Sequence, residues 1–318
     1  MDIENVLIPG GGGPAGIGAI KSLRHSCHRG YLVSTDMDPL SAGLYLADRG
    51  YTVPASNDPR FFEEAEKIID SEDISLILPT SGFDIVPYSR NKSSLERKGV
   101  TAFMSDHDVM ETCMDKLRFY ERLRDHFEMP LTTNVPDKVE FPCIIKPRAG
   151  KGGRGVHICR NPDELLYHLK GNGNVVIQQY LPGKEYTIDV LSDLDGNALV
   201  AVPRERICVK AGISFKGRVL IDEAMQSQCI EIAEELGLKG PSCMQMKCDE
   251  QGRPLLLEVN PRMGGGTIMA TYAGVNIPQL VIDIHRGDTL PCLDFKEIVM
   301  LRHYEELILD CAGRVLRT

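Results

Sequence analysis

The stretch "VLIPGGGGPAGIG", residues 6–18, limits the fold more than any other part of the chain. A short apolar run enters four consecutive glycines, a proline follows, and "IGAIKSL" then opens a helical pattern. Glycine allows the close approaches that a tight strand-to-helix turn needs, and proline suits the first position of a helix. The chain therefore has to begin with a βα unit. Gly11, Gly13 and Gly16 also satisfy G-x-G-x-x-G, and Asp36 follows at about the 20-residue spacing of a dinucleotide-binding fingerprint. NAD binding at this turn is one reading, and a purely structural turn is the other.

The alternation continues to about residue 104. "YLVSTD" at 31–36 precedes a helical "PLSAGLYLAD". "DPRFFEEAEKIID" at 58–70 has helical spacing, with Asp58 as a cap and Pro59 at the first helical position. "ISLILPT" at 74–80 is a continuous apolar run of the kind found in buried parallel strands. Strand and helix in alternation predict a parallel sheet with helices on both faces.

Beyond that point the pattern changes. "DKLRFYERLRDH" at 115–126 is a charged amphipathic helix, and "CIIKPRAGKGGRGVHIC" at 143–159 reads as strand, glycine loop, strand. Asn161 caps a helix that runs to Leu169. Residues 174–193 read as two strands broken at Pro182-Gly183. An Asp-Gly turn at 195–196 and Gln251-Gly252 mark two antiparallel hairpins, and Gly237 ends a helix over 223–236. The fold class is α/β followed by α+β.

Composition narrows the function classes. The 318 residues suffice for two or three packed units, and 42% hydrophobic with 25% charged residues is a globular balance. A net charge of −9 leaves no basic surplus for a nucleic-acid partner. No run approaches the ~18 apolar residues of a membrane span, and the acidic start "MDIENV" is unlike a signal peptide. The ten cysteines contain no C-x-x-C, which predicts reduced, mostly buried thiols and a cytoplasmic protein.

The chemistry concentrates in "PLLLEVNPR", residues 254–262. In a strand, Glu258 and Asn260 face the same side, and Arg262 continues the series beyond Pro261. A hard divalent cation in a nucleotide site takes one or two carboxylates plus phosphate oxygens. Glu258 and Asn260 supply such oxygens, and Gln245 on the partner strand of the hairpin can add a neutral one. In "IIKPRAGKGGRGV", Lys146 ends an apolar strand. Gly150, Gly152, Gly153 and Gly155 let backbone N–H groups approach an anion, and Lys151 and Arg154 add charge. It is not a Walker A loop. In "QQYLPGKEYTID", the backbone near Tyr180 and Leu181 can meet an adenine edge, and Glu185 can accept from ribose hydroxyls. Lys116 stands near a helix start. Arg204, Arg206, Lys210 and Lys216, on a loop-rich stretch, are candidate acid-binding groups; a solvated charged surface is the alternative.

Lys116, Lys146 with its glycine loop, Glu185, Gln245 and "EVNPR" follow the order and spacing of the ATP-grasp superfamily. The chain resembles one ATP-grasp unit of the carbamoyl phosphate synthase large subunit. The resemblance implies a Rossmann-like domain at 1–104, an ATP-grasp lid subdomain at 105–180 and a C-terminal subdomain carrying the metal strand at 181–318. It implies that Lys116 and Lys146 bind ATP phosphates, that residues 150–155, with Gly152 and Gly153, cover them, and that Gln179, Tyr180 and Leu181 meet adenine. It further implies that Glu185 holds the ribose, that Gln245, Glu258 and Asn260 hold Mg²⁺ or Mn²⁺, and that Arg262 and Lys146 act in catalysis. Gln178 and Gln179 stand where the family often has a hinge glutamate. The implied reaction joins a carboxylate, activated as an acylphosphate, to an amine or ammonia. A homodimer is compatible with it. The competing readings are an NAD-dependent oxidoreductase built on the first glycine turn and a non-catalytic nucleotide-binding subunit.

Overall fold

The computed structural model describes residues 4–26, 28–150, 154–171 and 173–316. Cys27, Lys151, Gly152 and Gly153 lie outside the described residues. The chain opens with β1 (Asn5–Pro9), α1 (Pro14–Arg24), β2 (Leu32–Asp36), α2 (Ala42–Leu46), β3 (Arg49–Thr52), α3 (Phe61–Ser71), β4 (Ile74–Ile77), α4 (Ile85–Arg90), α5 (Lys92–Arg97) and β5 (Thr101–Ala102). The five strands form a parallel sheet in the order β3-β2-β1-β4-β5. The strand order therefore reverses between β1 and β4.

Two helices differ from expectation. Asp58 accepts the N–H of Arg60 in its own turn at 2.9 Å, so α3 starts at Phe61 rather than at Pro59. The helix over 39–48 shrinks to α2, because Asp36 and Asp38 fold the preceding segment into side-chain-capped turns. Gly16 has a packing reason: a Cβ there would lie 2.6 Å from Gly11 Cα.

Next come α6 (His107–Met114), α7 (Lys116–Leu123), β6 (Thr132–Thr133), β7 (Cys143–Pro147), β8 (His157–Cys159), α8 (Pro162–Leu169) and β9 (Val175–Gln179). Strands β6-β9-β7-β8 make a small antiparallel sheet over its own core of Cys143, Ile145, Cys159, Leu165 and Ile177. The third sheet follows with β10 (Glu185–Ser192), β11 (Ala198–Lys210), β12 (Ile213–Val219), α9 (Glu223–Leu236), β13 (Gly240–Cys248), β14 (Pro254–Asn260), α10 (Ile268–Ala273), α11 (Ile277–Arg286) and β15 (Val299–Leu301). Its order is β14-β13-β10-β11-β12-β15. The turns at Gly196 and Gly252, both at positive φ, confirm the two expected hairpins. The stretch 208–219 is not a loop: β11 and β12 pair through a two-residue turn at Ala211-Gly212.

One apolar cluster joins the first sheet to the third. Val6 and Ile8 of β1 and Ile20 and Leu23 of α1 share it with Met269, Ile277 and Leu280 of α10 and α11, and with Leu191 and Val202 of the third sheet. The opposite face of the third sheet packs on α9, with Cys113 of α6 and Phe119 of α7 in the same core. The nine cysteines among the described residues are free thiols, six of them buried. No helix among the described residues is long and apolar enough to cross a membrane.

Inside the third sheet, Arg204 of β11 grips Asp189 of β10 with two hydrogen bonds, Nε to Oδ2 at 2.5 Å and Nη2 to Oδ1 at 2.9 Å. The side chains are 2% and 0% exposed, and Thr267 Oγ1 donates to Asp189 Oδ1 at 2.7 Å. Removing one partner of such a pair leaves an uncompensated buried charge. Asp189→Ala is expected to cost about 3–5 kcal/mol in urea unfolding, while Arg204→Met with Asp189→Leu together should cost much less.

Candidate active site

The three sheets enclose a cleft of about 670 Å³. Its floor is the face of the third sheet, its roof is the small sheet with Lys146 and Arg154, and its side wall is the first domain, through Gly10, Gly13, Pro14 and Ala15 and through residues 80–83. Strand register lays out the floor. Glu258 of β14 lies opposite Gln245 of β13, Gln245 opposite Thr187 of β10, and Thr187 opposite Arg204 of β11. One row thus crosses four strands, placing Arg204 roughly 14 Å from Glu258 at the usual strand spacing.

Around Glu258 the oxygen-bearing side chains are close. Asn260 Nδ2 donates to Glu258 Oε1 at 3.1 Å, and Arg262 Nη2 reaches Asn260 Oδ1 at 3.4 Å. Arg262 Nη1 is anchored on the Met263 carbonyl at 2.7 Å. Two amide oxygens and one carboxylate on adjacent strands are hard donors of the kind Mg²⁺ accepts. With only one formal negative charge, they need phosphate oxygens to complete the set. Among the described residues no group of three His, Cys, Asp or Glu side chains could hold a metal.

Lys146 rises from the end of β7 and is 8% exposed. Its Nζ donates to Gln178 Oε1 at 2.8 Å, and Gln178 Nε2 donates to Thr132 Oγ1 at 2.8 Å. Burial lowers the Lys146 pKa to about 8; the negative charge of Glu258 opposes this and Lys116 adds to it. Lys116 opens α7, and burial also lowers its pKa against the pull of Glu258 and Asp115. Lys116 Nζ donates to the Gly150 carbonyl at 3.0 Å. Asp115 caps α7 through the N–H groups of Leu117 and Arg118 and binds Arg148 Nε at 2.7 Å, so the start of α7 and the base of the glycine loop form one unit.

Most of the expected site residues meet here. Lys116, Lys146, Gln245, Glu258, Asn260 and Arg262 converge, and Gln179, Leu181 and Glu185 line the far end. Tyr180 is not part of the lining; Lys247 Nζ stands 5.7 Å from its ring. Glu185 is engaged by Arg206 Nη1 at 2.7 Å. Of the four candidate acid-binding groups, Arg204 and Arg206 line the cleft as buried, ion-paired residues of β11. Lys210 instead lies 3.9 Å above the Phe215 ring, and Lys216 is outside the lining. Sequence reasoning missed Gln178 as the partner of Lys146, the Asp115–Arg148 link, and the Thr80–Phe83 loop. Asp115 carried a signal, as a capping residue before a helix.

The first glycine turn is accounted for without NAD. Asp36 Oδ2 accepts the N–H of Gly12 at 2.9 Å and its Oδ1 accepts that of Asp38 at 3.0 Å, so its carboxylate braces the turn itself.

A parallel-sheet domain, a small antiparallel sheet and a larger antiparallel sheet around one cleft define the ATP-grasp architecture. Residues 172–306 match the family described as "ATP-grasp in the biosynthetic pathway with Ter operon", and residues 6–103 match the PylC-like N-terminal domain. The chain thus carries an ATP-grasp domain behind a PylC-like N-terminal domain. Carbamoyl phosphate synthase large chains of Pseudomonas putida and Vibrio cholerae are each 26% identical over 91% of this chain. The chain spans 30% of the length of these relatives. The biotin carboxylase domain of Hydrogenobacter thermophilus 2-oxoglutarate carboxylase superimposes with a TM-score of 0.71 at 22% identity, over 90% of this chain and 70% of that one. The L-amino acid ligase of Bacillus licheniformis does so with a TM-score of 0.67 at 18% identity, over 89% and 74%. At these identities the structural likeness establishes the fold.

The lowered Lys146 pKa has a testable sign. Below about pH 8 its ammonium is charged and can bind phosphate; above that it is neutral in the free protein. Nucleotide affinity should therefore fall as pH rises through 8, approaching tenfold per pH unit, with proton uptake on binding seen by calorimetry in buffers of different ionisation enthalpy. Between about 8 and 10.5 the unfolded chain holds more protons at this lysine, so its contribution to stability rises with pH across that window.

Proposed function

We propose that this protein is an ATP-dependent ligase that activates a carboxylate as an acylphosphate and transfers the acyl group to an amine or ammonia. The observation that carries this reading is the convergence of Lys116, Lys146, Gln245, Glu258, Asn260 and Arg262, from three separate parts of the fold, on one cleft. The H. thermophilus neighbour was determined with MgADP and bicarbonate, which supports nucleotide and acceptor sharing such a cleft.

In this reading Lys116 and Lys146 hold the phosphates, leaving the Gly150 and Gln178 oxygens that they contact in the free protein. Gln179 and Leu181 border adenine, and Glu185 accepts from the ribose while Arg206 fixes its rotamer. A divalent cation, Mg²⁺ or Mn²⁺, at Gln245, Glu258 and Asn260 supplies neutralising charge for the phosphates. Arg262 orients the γ-phosphoryl group with its planar fork of donors. A carboxylate oxygen of the acceptor forms a bond to the γ-phosphorus as the bond to the ADP oxygen breaks. The amine nitrogen then attacks the acyl carbon, phosphate leaves, and the nitrogen gives up a proton. Such transfer depends on positioning and charge stabilisation, and needs no protein nucleophile. The likeness to carbamoyl phosphate synthase supports this reaction type and leaves the acceptor to be identified. We place the enzyme in the cytoplasm; a homodimer is compatible with the reading, since the H. thermophilus neighbour is described as a domain dimer.

The test is ADP release across a panel of carboxylates with hydroxylamine as a general amine. Arg262→Ala should lower kcat by roughly 10²–10³ with a much smaller change in nucleotide Kd, the pattern of a group acting on the transition state. Full turnover in that variant would refute the assignment. Mg-ATP at about 100 times Kd should stabilise the fold by about 2.7 kcal/mol in thermal unfolding, and NAD should not. The reverse result would favour the oxidoreductase reading.

A further inference from the structure

A second, smaller cavity of about 210 Å³ adjoins the cleft behind the metal strand. One end is chemical: Lys116, Glu258, Asn260 and Arg262 line both spaces. The rest of the lining is mostly apolar, with Phe83, Ile85, Cys113, Met114, Val259 and Pro261. Burial holds the Cys113 thiol pKa up at about 12, so it serves as an apolar wall rather than a reactive group.

The crevice at the strand-order reversal, between the loops after β1 and β4, belongs to the main cleft, lined there by Gly10, Pro14, Thr80 and Ser81; such a reversal is where ligands bind in open α/β sheets. The second cavity adjoins that ligand-binding position through Gly82 and Phe83 of the loop after β4, which line both spaces. Phe83, on that loop, is 64% exposed at the rim of both spaces. A partly exposed aromatic side chain in the lining of an apolar cavity is suited to cover an apolar group that enters it. An engineered cavity of about 150 Å³ takes up benzene, so the space here has room for a branched aliphatic or phenyl group.

We propose that the acceptor carboxylate carries an apolar substituent, of branched-chain to phenyl size, which sits in this cavity and presents its carboxylate to Arg262 and Lys116. The inference rests on the ligase reading and names its substrate class. Met114 and Phe83 are then specificity-determining residues that do not touch the reacting atoms.

The test uses the full chain with Mg-ATP, hydroxylamine and a graded series of acetate, butyrate, isovalerate and phenylacetate. kcat/KM should rise roughly fourfold per methylene buried, reaching at least about 50-fold for phenylacetate over acetate. Met114→Trp, which fills the cavity, should remove that preference, and Met114→Ala should move it toward larger groups. A flat series overturns the proposal, as does an unchanged preference in a Met114 variant that still binds Mg-AMP-PNP. A binding arm separates the two readings: calorimetric titration of phenylacetate and acetate into the Mg-AMP-PNP complex, on wild type and Met114→Trp. If no carboxylate releases ADP, the ligase reading fails. Phenylacetate binding that Met114→Trp abolishes would still support the cavity as a site for apolar carboxylates, and equal binding of both acids would refute it.

Discussion

The working geometry depends on apolar burial between α1 and the pair α10 and α11. These helices lie between the first sheet and the third, and their side chains form one continuous core with both. A cleft between two independently packed domains would open and close freely, because interdomain contacts are usually modest and polar. Here Ile20, Leu23, Met269 and Leu280 are each 3% exposed or less, so the side wall is fixed to the floor. The small sheet packs on a separate five-residue buried core and does not share that frame. Its connections run through the clip of Asp115 with Arg148 and the crossing at 180–184.

Local chemistry made much of this fold legible. The glycine–proline turn, the two Asp-Gly and Gln-Gly hairpins and the alternating face of "PLLLEVNP" each express a rule that acts within a few residues. The proximity of Glu258 and Asn260 could be read because side chains two apart in a strand share a face. What could not be read depends on distant partners. Arg206 looked like a free cation until β10 placed Glu185 beside it. Nothing local in the sequence pairs Gln178 with Lys146; the register of β7 with β9 does so. The pairing of β11 with β12 is hidden in the sequence because Gly217 interrupts the alternation of β12 and two register shifts at Cys208 interrupt that of β11. In each case a pairing across tens of residues decided the outcome.

Charge is distributed against the average of the molecule. The chain carries −9 overall, yet seven lysines and arginines line the cleft against two glutamates. An acidic exterior with a basic interior cleft favours small anions over polyanions, since a nucleic acid would have to face the exterior as well. Within the cleft the charges are divided by depth. Arg204 and Arg206 are spent on Asp189 and Glu185, which stiffens the floor, whereas Lys116, Lys146 and Arg262 are held by neutral oxygens and keep their charge for an incoming anion.

That last distinction has a consequence for how a ligand would be received. Lys116 and Lys146 are not loose in the free protein: each has one short hydrogen bond to a carbonyl oxygen, of Gly150 and Gln178 respectively. A phosphate entering the cleft would exchange these contacts for stronger ones without first having to freeze two long, mobile side chains. Most of the entropy of ordering a lysine, roughly 2 kcal/mol apiece, is then lost when the chain folds and not when the nucleotide arrives. The carbonyl oxygens act as placeholders. One of them is the backbone carbonyl of Gly150, so the same exchange that seats the phosphates would release a main-chain acceptor at the end of the segment after β7.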